Sequence, residues 1–363
     1  MLALTEMLRR KVQFSLVMAV VALIAYLVLM VTGLGLGLQE KAGTALLNLD
    51  GDYLAYADRS NLSVIRSRLT DAQVADIAAA PGVEAATPIG YVAAVVEYGD
   101  DETATAALIG VDPGSFAEPR PIDGGPLTGP DQVLIDRSWA SLGGTEVGDS
   151  IALPVGFATR EFMVVGIVDQ GSFFFQPAIY LDRSAWQDVS YQGAADQTPA
   201  ASIVVLRGSG LDGARGEGWV AVTKQTGFDN IEGVAAQQST VNALRYMGLL
   251  IGAMVIGVFF YVLTIQKVAL LGILKAIGAS GWFLAGQSLL QVFIISVAGA
   301  GIAVGLALLT EATVLASDAV PIAFTPGAML STAVAVAVSG VLGAALSIRQ
   351  VTSIDPIVAM QPQ

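Results

Sequence analysis

The sequence predicts an α-helical membrane protein with four transmembrane helices and one mixed α/β extracytoplasmic domain. Three observations predict it. Of 363 residues, 54% are hydrophobic and only 13% are charged, with a mean hydropathy of +0.66, too apolar for an ordinary soluble domain. Four uncharged runs reach the roughly 20 residues that a helix needs to cross a hydrocarbon core about 30 Å thick. Residues 40–240, between the first and second runs, hold 27 Asp and Glu against 11 Lys and Arg, a balance of −16 in a chain whose net charge is −13. So acidic a segment excludes nucleic-acid binding.

The first apolar run covers residues 12–39, between Arg9-Arg10-Lys11 and Glu40. It is far longer than the roughly 7–15 apolar residues of a signal peptide and lacks a small-x-small cleavage site, so it reads as a retained anchor. The second covers 246–266, between Arg245 and Lys267; the third lies within 276–310 and the fourth within 319–348. With four spans, Arg9, Arg10, Lys11, Lys267, Lys275 and Arg349 fall on one side, while the loop from Glu311 to about Phe324 carries Glu311 and Asp318 and no basic residue. Basic residues cross membranes poorly, so both termini, including a tail over 349–363, are expected in the cytoplasm and residues 40–240 outside.

Within the outer segment, LTDAQVADIAAAPGV predicts a helix capped by Thr70 or Asp71 and stopped at Pro81-Gly82. GYVAAVVEYGDDETATAALIGV predicts two strands around a turn at Gly99-Asp100-Asp101. GDSIALPV, REFMVVGIVD and PAIYLD predict further strands, RSWASLG and RSAWQDV short helices, residues 207–219 a glycine-rich loop, and AAQQSTVNALRYMG a helix leading into the second span. Asp100-Asp101-Glu102 reads as a solvated turn rather than a carboxylate site. Phe173-Phe174-Phe175 lies in an expected loop, where local burial is favoured over projection toward a partner.

The absence of Cys and His removes disulfides, zinc sites and imidazole catalysis, and limits iron ligands to Met, Tyr, Lys or a carboxylate. On the first span Tyr26, Met30, Gly33 and Gly37, followed by Glu40, fall near one helix face; on the second Met247, Met254 and Tyr261 recur every seven residues. Each is also an ordinary packing residue, and Gly33 and Gly37, four apart, allow another helix to approach closely. Glu40 and Glu311 flank the outer ends of spans, where anchoring is the default role and meeting a cation or iron centre a second one.

Between spans two and three, residues near 268–281 form an expected cytoplasmic helix. Lys267 and Lys275 accompany apolar Leu271, Leu274 and Ile277 there, ahead of Gly278. Such a helix is either a docking element for a cytosolic partner or a simple amphipathic connector.

The string GILKAIGAS, the ending IRQVTSIDPIVAM, and the outer strings GPLTGPDQVLIDRSWASLGGTEVGDSIAL and REFMVVGIV resemble the FtsX/MacB-type ABC transporter permease family over essentially the whole chain. The resemblance implies a non-catalytic permease: a homodimer on a dimer of separate ABC-type ATPases that bind ATP and Mg; the two copies are expected to pair through spans one and two. It makes 268–281 the coupling helix. In agreement, the sequence has no GxxxxGK[ST] loop to cradle nucleotide phosphates. Gly33, Gly35 and Gly37 follow no strand and are not a dinucleotide fingerprint.

More narrowly, FFYVLTIQK with GILKAIG, VTGLGLGLQ and LGAALS resemble the haem-exporting branch of that family. This implies haem as the transported substrate, with Tyr26, Met30, Glu40, Met254 and Glu311 as candidate contacts and no other metal. Export of a lipid, peptide or lipoprotein, or transmission of ATPase motion to a cell-wall hydrolase without transport, are the rival functions of the family. The outer segment has no obvious long tip helix, which argues against a tripartite tunnel.

Overall fold

The computed structural model describes residues 11–98, 102–155, 158–191, 198–266, 273, 277–314 and 321–353. The chain divides into two compact units, Leu38–Ala236 and Met1–Gly37 with Gln237–Gln363.

Helix α1 (Lys11–Leu47) contains the first apolar run and leaves helical geometry at Gly43. The outer unit continues with β1 (Tyr53–Ala57), α2 (Asp71–Ala78), β2 (Val83–Tyr98), β3 (Glu102–Val111), β4 (Asp123–Gly124), β5 (Gln132–Asp136) and α3 (Arg137–Gly143). It is completed by β6 (Ser150–Val155), β7 (Ala158–Val168), β8 (Ser172–Phe173), β9 (Gln176–Asp182), α4 (Arg183–Tyr191), β10 (Ile203–Gly208), β11 (Arg215–Gly216), β12 (Trp219–Thr223) and α5 (Lys224–Asp229). Strand order is β11-β12-β1-β10-β2-β3-β9-β5-β7-β4, with β6 on β2 and β7, and β8 on β9. Only β3–β9 and β5–β7 are parallel among the pairs of described strands.

Strand β2 serves two sheets. Its first half, from Val83 to Ile89, pairs with β10, and its second half, from Gly90 to Tyr98, pairs with β3. At the changeover Gly90 stands opposite Gly110. A methyl group on either would strike the fully buried Trp186 of α4. Two facing glycines therefore open the slot into which the indole packs, which explains glycine inside strands that otherwise disfavour it.

The capping expectation resolves to Thr70, whose side chain accepts from the Gln73 backbone while Gln73 answers the Thr70 N–H in a capping box. The helices expected at RSWASLG and RSAWQDV are α3 and α4, the first capped by Asp136. The expected loop at 207–219 is interrupted: β10 runs to Gly208, β11 intervenes and Trp219 opens β12. The buried Trp219 indole donates to Asp76 at 2.6 Å, giving the glycine-rich stretch an anchor. The turn at 99–101 lies outside the described residues.

In the Phe173–Phe175 run, Phe173 is buried, Phe174 half-buried, and Phe175 is 49% exposed. Burial thus holds for two rings and fails for the third, for a conformational reason. Phe173 pairs with Gln176, so Phe174 and Phe175 form a two-residue hairpin turn, and both take left-handed backbone (φ 50 and 63). Their N–H groups donate to the carbonyls of Ala42 and Lys41 at 2.9 and 2.8 Å, satisfying acceptors that the break of α1 at Gly43 leaves free.

The membrane unit adds α6 (Val234–Gln266), α7 (Gly281–Val314) and α8 (Pro326–Ser353) to the first part of α1. All four helices are long and apolar enough to span a bilayer. Small residues bring them together. A Cβ on Gly257 of α6 would lie 2.8 Å from the Gly343 carbonyl of α8, and one on Gly343 would overlap Ala253. On α8, Gly340 faces Ser296 of α7 and Ile256 of α6.

Candidate functional site

The residues singled out on the first span meet three different neighbours. The Tyr26 hydroxyl lies 2.8 Å from Thr310 Oγ1 on α7. Because the Thr310 hydroxyl donates to the Leu306 carbonyl, Tyr26 is the donor in this pair. Met30 is half-buried one turn further along. Gly33 and Gly37 face the non-helical stretch at 321–325 that leads into α8. A Cβ on Gly33 would lie 2.6 Å from the Phe324 ring, one on Gly37 would overlap the Pro321 carbonyl, and the Ala323 N–H donates to the Gly33 carbonyl at 3.0 Å. The close approach expected at these glycines is present, but its partner is an extended segment rather than a helix, and that segment fills the glycine face. Gly35 takes Val241 of α6 against its other side.

Met254 does not join this group within the chain. On α6, Gly248 and Gly252 face Val28 and Ile24 of α1. Met254, two residues on from Gly252, points about 200° away around the helix and is 62% exposed. Met247 and Tyr261 share that outward face and are also exposed. Glu311 is exposed on α7, directly after Thr310, and Glu40 is exposed in the outer unit, its carbonyl accepting from the Thr44 hydroxyl.

Of the expected coupling residues, Lys267, Leu271, Leu274 and Lys275 lie outside the described residues. Ile273 and Ile277 are described, and both are exposed; the Ile277 N–H donates to the Ile273 carbonyl at 3.1 Å. Gly278 then takes φ +101, a backbone conformation that glycine alone adopts readily. Ser280 accepts from the Phe283 N–H at 3.1 Å and so caps α7. Together with Trp282, 82% exposed, these isoleucines present apolar surface beside the turn.

Two cavities lie outside the residues singled out from sequence. An apolar groove of about 650 Å³ runs between α7 and α8, lined by Phe293, Val297, Gly301, Val334 and Val338 among others. A polar cavity of about 620 Å³ lies in the outer unit around Ser115, Arg120, Tyr180 and Arg207. Its one sequence signal is the proline-rich stretch DPGSFAEPRP, which neither sheet nor helix can absorb.

Family comparison agrees with this architecture. Residues 14–215 match the MacB-like periplasmic core domain and residues 242–356 the FtsX-like permease C-terminal domain. The chain belongs to the MacB/FtsX-type permease family: an integral membrane protein of four spans with an extracytoplasmic α/β domain, and a permease of the ABC transporter class.

Among curated proteins it is similar to a putative hemin transport system permease protein HrtB of Staphylococcus haemolyticus, 24% identical over 359 residues, covering 99% of this chain and 98% of the relative. An uncharacterised ABC transporter permease of Mycobacterium tuberculosis is also 24% identical, covering 98% of this chain and 97% of that protein. A putative HrtB of Staphylococcus epidermidis is 33% identical over 131 residues, 36% of this chain and 37% of the relative. Among solved structures, the periplasmic region of MacB from Actinobacillus actinomycetemcomitans covers 50% of this chain and 92% of its own, at 15% identity and a TM-score of 0.36.

Proposed function

We propose that this permease exports haem, as a homodimer driven by a separate pair of ABC-type ATPase subunits that bind ATP and Mg. The observation that carries the substrate is the match along nearly its whole length to a putative hemin transport permease. The chain has no His or Cys, so Met30 on the first span is the candidate iron contact. Thioether ligation is weak enough to suit a carrier that must release its cargo.

Pairing of two copies is supported by the outward face of α6. Met247, Met254 and Tyr261 stand there at seven-residue steps, exposed in the single chain and turned away from α1. The ATPase docks on the cytoplasmic turn that carries Ile273 and Ile277, with both termini on the same side. Nucleotide-driven closure of the ATPases would bias the spans between two arrangements, and haem leaves from the outer leaflet.

Haemin titration followed by its visible absorption spectrum tests the substrate. Saturable binding by the wild type and a lowered affinity in Met30→Ala are expected, with basal ATP hydrolysis of the assembled transporter preserved. No saturable binding by the wild type overturns haem and leaves a permease of another hydrophobic substrate. Ile277→Asp should reduce co-purification with the ATPase, because a charge placed in an apolar contact costs about 1–3 kcal/mol; unchanged co-purification and hydrolysis would reject this turn as the docking element.

A further inference from the structure

The apolar groove of about 650 Å³ between α7 and α8 has no part in the export reading. It runs from Phe293 to Val304 on α7 and from Leu342 to Leu330 on α8, roughly 17–18 Å at the helical rise. That is close to the depth of one leaflet in a hydrocarbon core about 30 Å thick. Leu330 lies one turn below Pro326, where α8 begins after the stretch 321–325 that packs on Gly33 and Gly37 toward the outer end of α1. The leaflet is therefore the outer one. Among the described residues, none that lines the groove is polar.

Two features ask for an occupant from outside the chain. Gly301 lies in the groove, and a Cβ on it would meet nothing within 4 Å. Glycine weakens a helix interior, and at Gly257, Gly299, Gly340 and Gly343 the reason for it is a close neighbour that a side chain would strike. Gly301 has no such neighbour. The second feature is Glu311, seven residues beyond Val304 on the same face of α7 and about 10 Å nearer the outer surface. Glu311 is exposed and takes part in no ion pair shown among the described residues. No Lys or Arg occurs between Lys275 and Arg349, so neither helix offers an anion a partner along the groove.

We propose that the groove seats an acyl chain of an outer-leaflet phospholipid whose headgroup carries a primary ammonium, held by Glu311. The rise from Val304 to Glu311 leaves room for the glycerol and phosphate that separate chain from amine. A primary ammonium donates to a carboxylate, whereas choline has no N–H to give and a glycerol headgroup leaves the phosphate charge unbalanced beside Glu311. Lipid has direct access, because Phe293, Val297, Val334 and Val338 along the groove are exposed.

Rival occupants fit less well. Haem would bring its propionates to a wall without a polar group. A helix of a second copy, about 10 Å across, has about twice the mean cross-section of the groove and would rest on its rim, leaving Gly301 uncovered. The proposal does not depend on what the permease exports.

Native mass spectrometry of the full-length protein, released from detergent after titration with phosphatidylethanolamine, phosphatidylcholine or phosphatidylglycerol, is the test. The wild type should retain phosphatidylethanolamine in preference to the other two. Gly301→Leu fills the groove without meeting protein, so it should weaken retention about tenfold or more while melting in detergent no lower than the wild type. Gly286→Leu, on the same helix below the groove and equally unopposed, should retain the lipid. Glu311→Gln should lower affinity for phosphatidylethanolamine about three- to fivefold, as expected for an exposed ion pair, and leave that for phosphatidylcholine unchanged. Equal retention of the three lipids by the wild type, or unchanged retention of phosphatidylethanolamine in Gly301→Leu or in Glu311→Gln, would each overturn the proposal. So would a Gly301→Leu variant that melts lower before lipid is added, which would mean that the chain itself closes the groove, or one that turns a dimer into a monomer, which would put a second copy there.

Discussion

Asp136 in the outer unit and Gly343 in the membrane unit fix their surroundings by opposite means. Asp136 is 2% exposed and accepts four hydrogen bonds, from the Ser138 N–H and hydroxyl at 2.9 and 2.6 Å and from the N–H groups of Gln170 and Gly171 at 2.9 and 2.8 Å. It ties the start of α3 to the turn after β7 by supplying partners. Gly343 supplies nothing; by lacking a side chain it lets the backbone of α8 touch that of α6 at Ala253. The outer unit is bathed in water, which competes for every polar group, so folding there rewards well-placed acceptors. In lipid, apolar side chains gain nothing by leaving their surroundings, and close backbone contact carries the association.

Asp136→Ala should give the largest effect. It strands three backbone N–H groups and a hydroxyl, and because each buried donor left without an acceptor costs about 1–3 kcal/mol, it should destabilise the outer unit by several kcal/mol, read as a lower denaturant midpoint by tryptophan fluorescence. An effect no larger than that of a surface substitution would show that Asp136 does not hold the outer unit together.

Alkaline titration comes next. Burial, then the Glu232 carboxylate, raises the Tyr56 phenol and pushes Tyr91 up to about 12; burial, then Asp136, raises Tyr180. The unfolded phenols ionise near 10 and the folded ones later. Their contribution is therefore complete below pH 10 and is lost as pH rises above it, by about 1.4 kcal/mol per phenol per pH unit. Denaturant unfolding of the outer unit from pH 9 to 11.5 should show this decline, and the Tyr91→Phe variant a shallower one.

Gly343→Leu should cost roughly 1–3 kcal/mol by wedging α6 from α8, measured as a lower melting temperature in detergent. Gly305→Leu, where a Cβ meets nothing within 4 Å, is the control and should be tolerated. Smallest of all, Tyr26→Phe removes one interhelical hydrogen bond and should cost about 0.6 kcal/mol; a loss several times larger would show that polar pairs, not small residues, set the spans.

The spans were legible because lipid demands long uncharged runs, and local signals such as a cap at Thr70 or Asp71 and the stop at Pro81-Gly82 were legible because cap chemistry is contained within a few residues, though the choice of Thr70 and its exchange with Gln73 came only with the structure. Partnerships across the chain were not. Gly33 and Gly37 announce a close approach, yet nothing in their spacing says that Pro321 and Phe324 make it. Tyr26 and Met254 look alike by helical spacing, and only the packing of Gly248 and Gly252 against α1 turns Met254 outward. Tyr180 is one apolar-flanked residue in PAIYLD, and its place in a cavity wall emerges only when β9 is placed beside the loop at 114–121. The order of the sheet, with β3 parallel to β9, depends on such distant pairings throughout.

Strand β2 carries a last consequence, for the way the outer unit comes apart. With Val83–Ile89 in one ladder and Gly90–Tyr98 in the other, neither sheet can be completed or dismantled without disturbing a strand that the other needs. Amide protons of β10 and β3, though in separate ladders, should therefore exchange with solvent through the same opening event and with the same free energy.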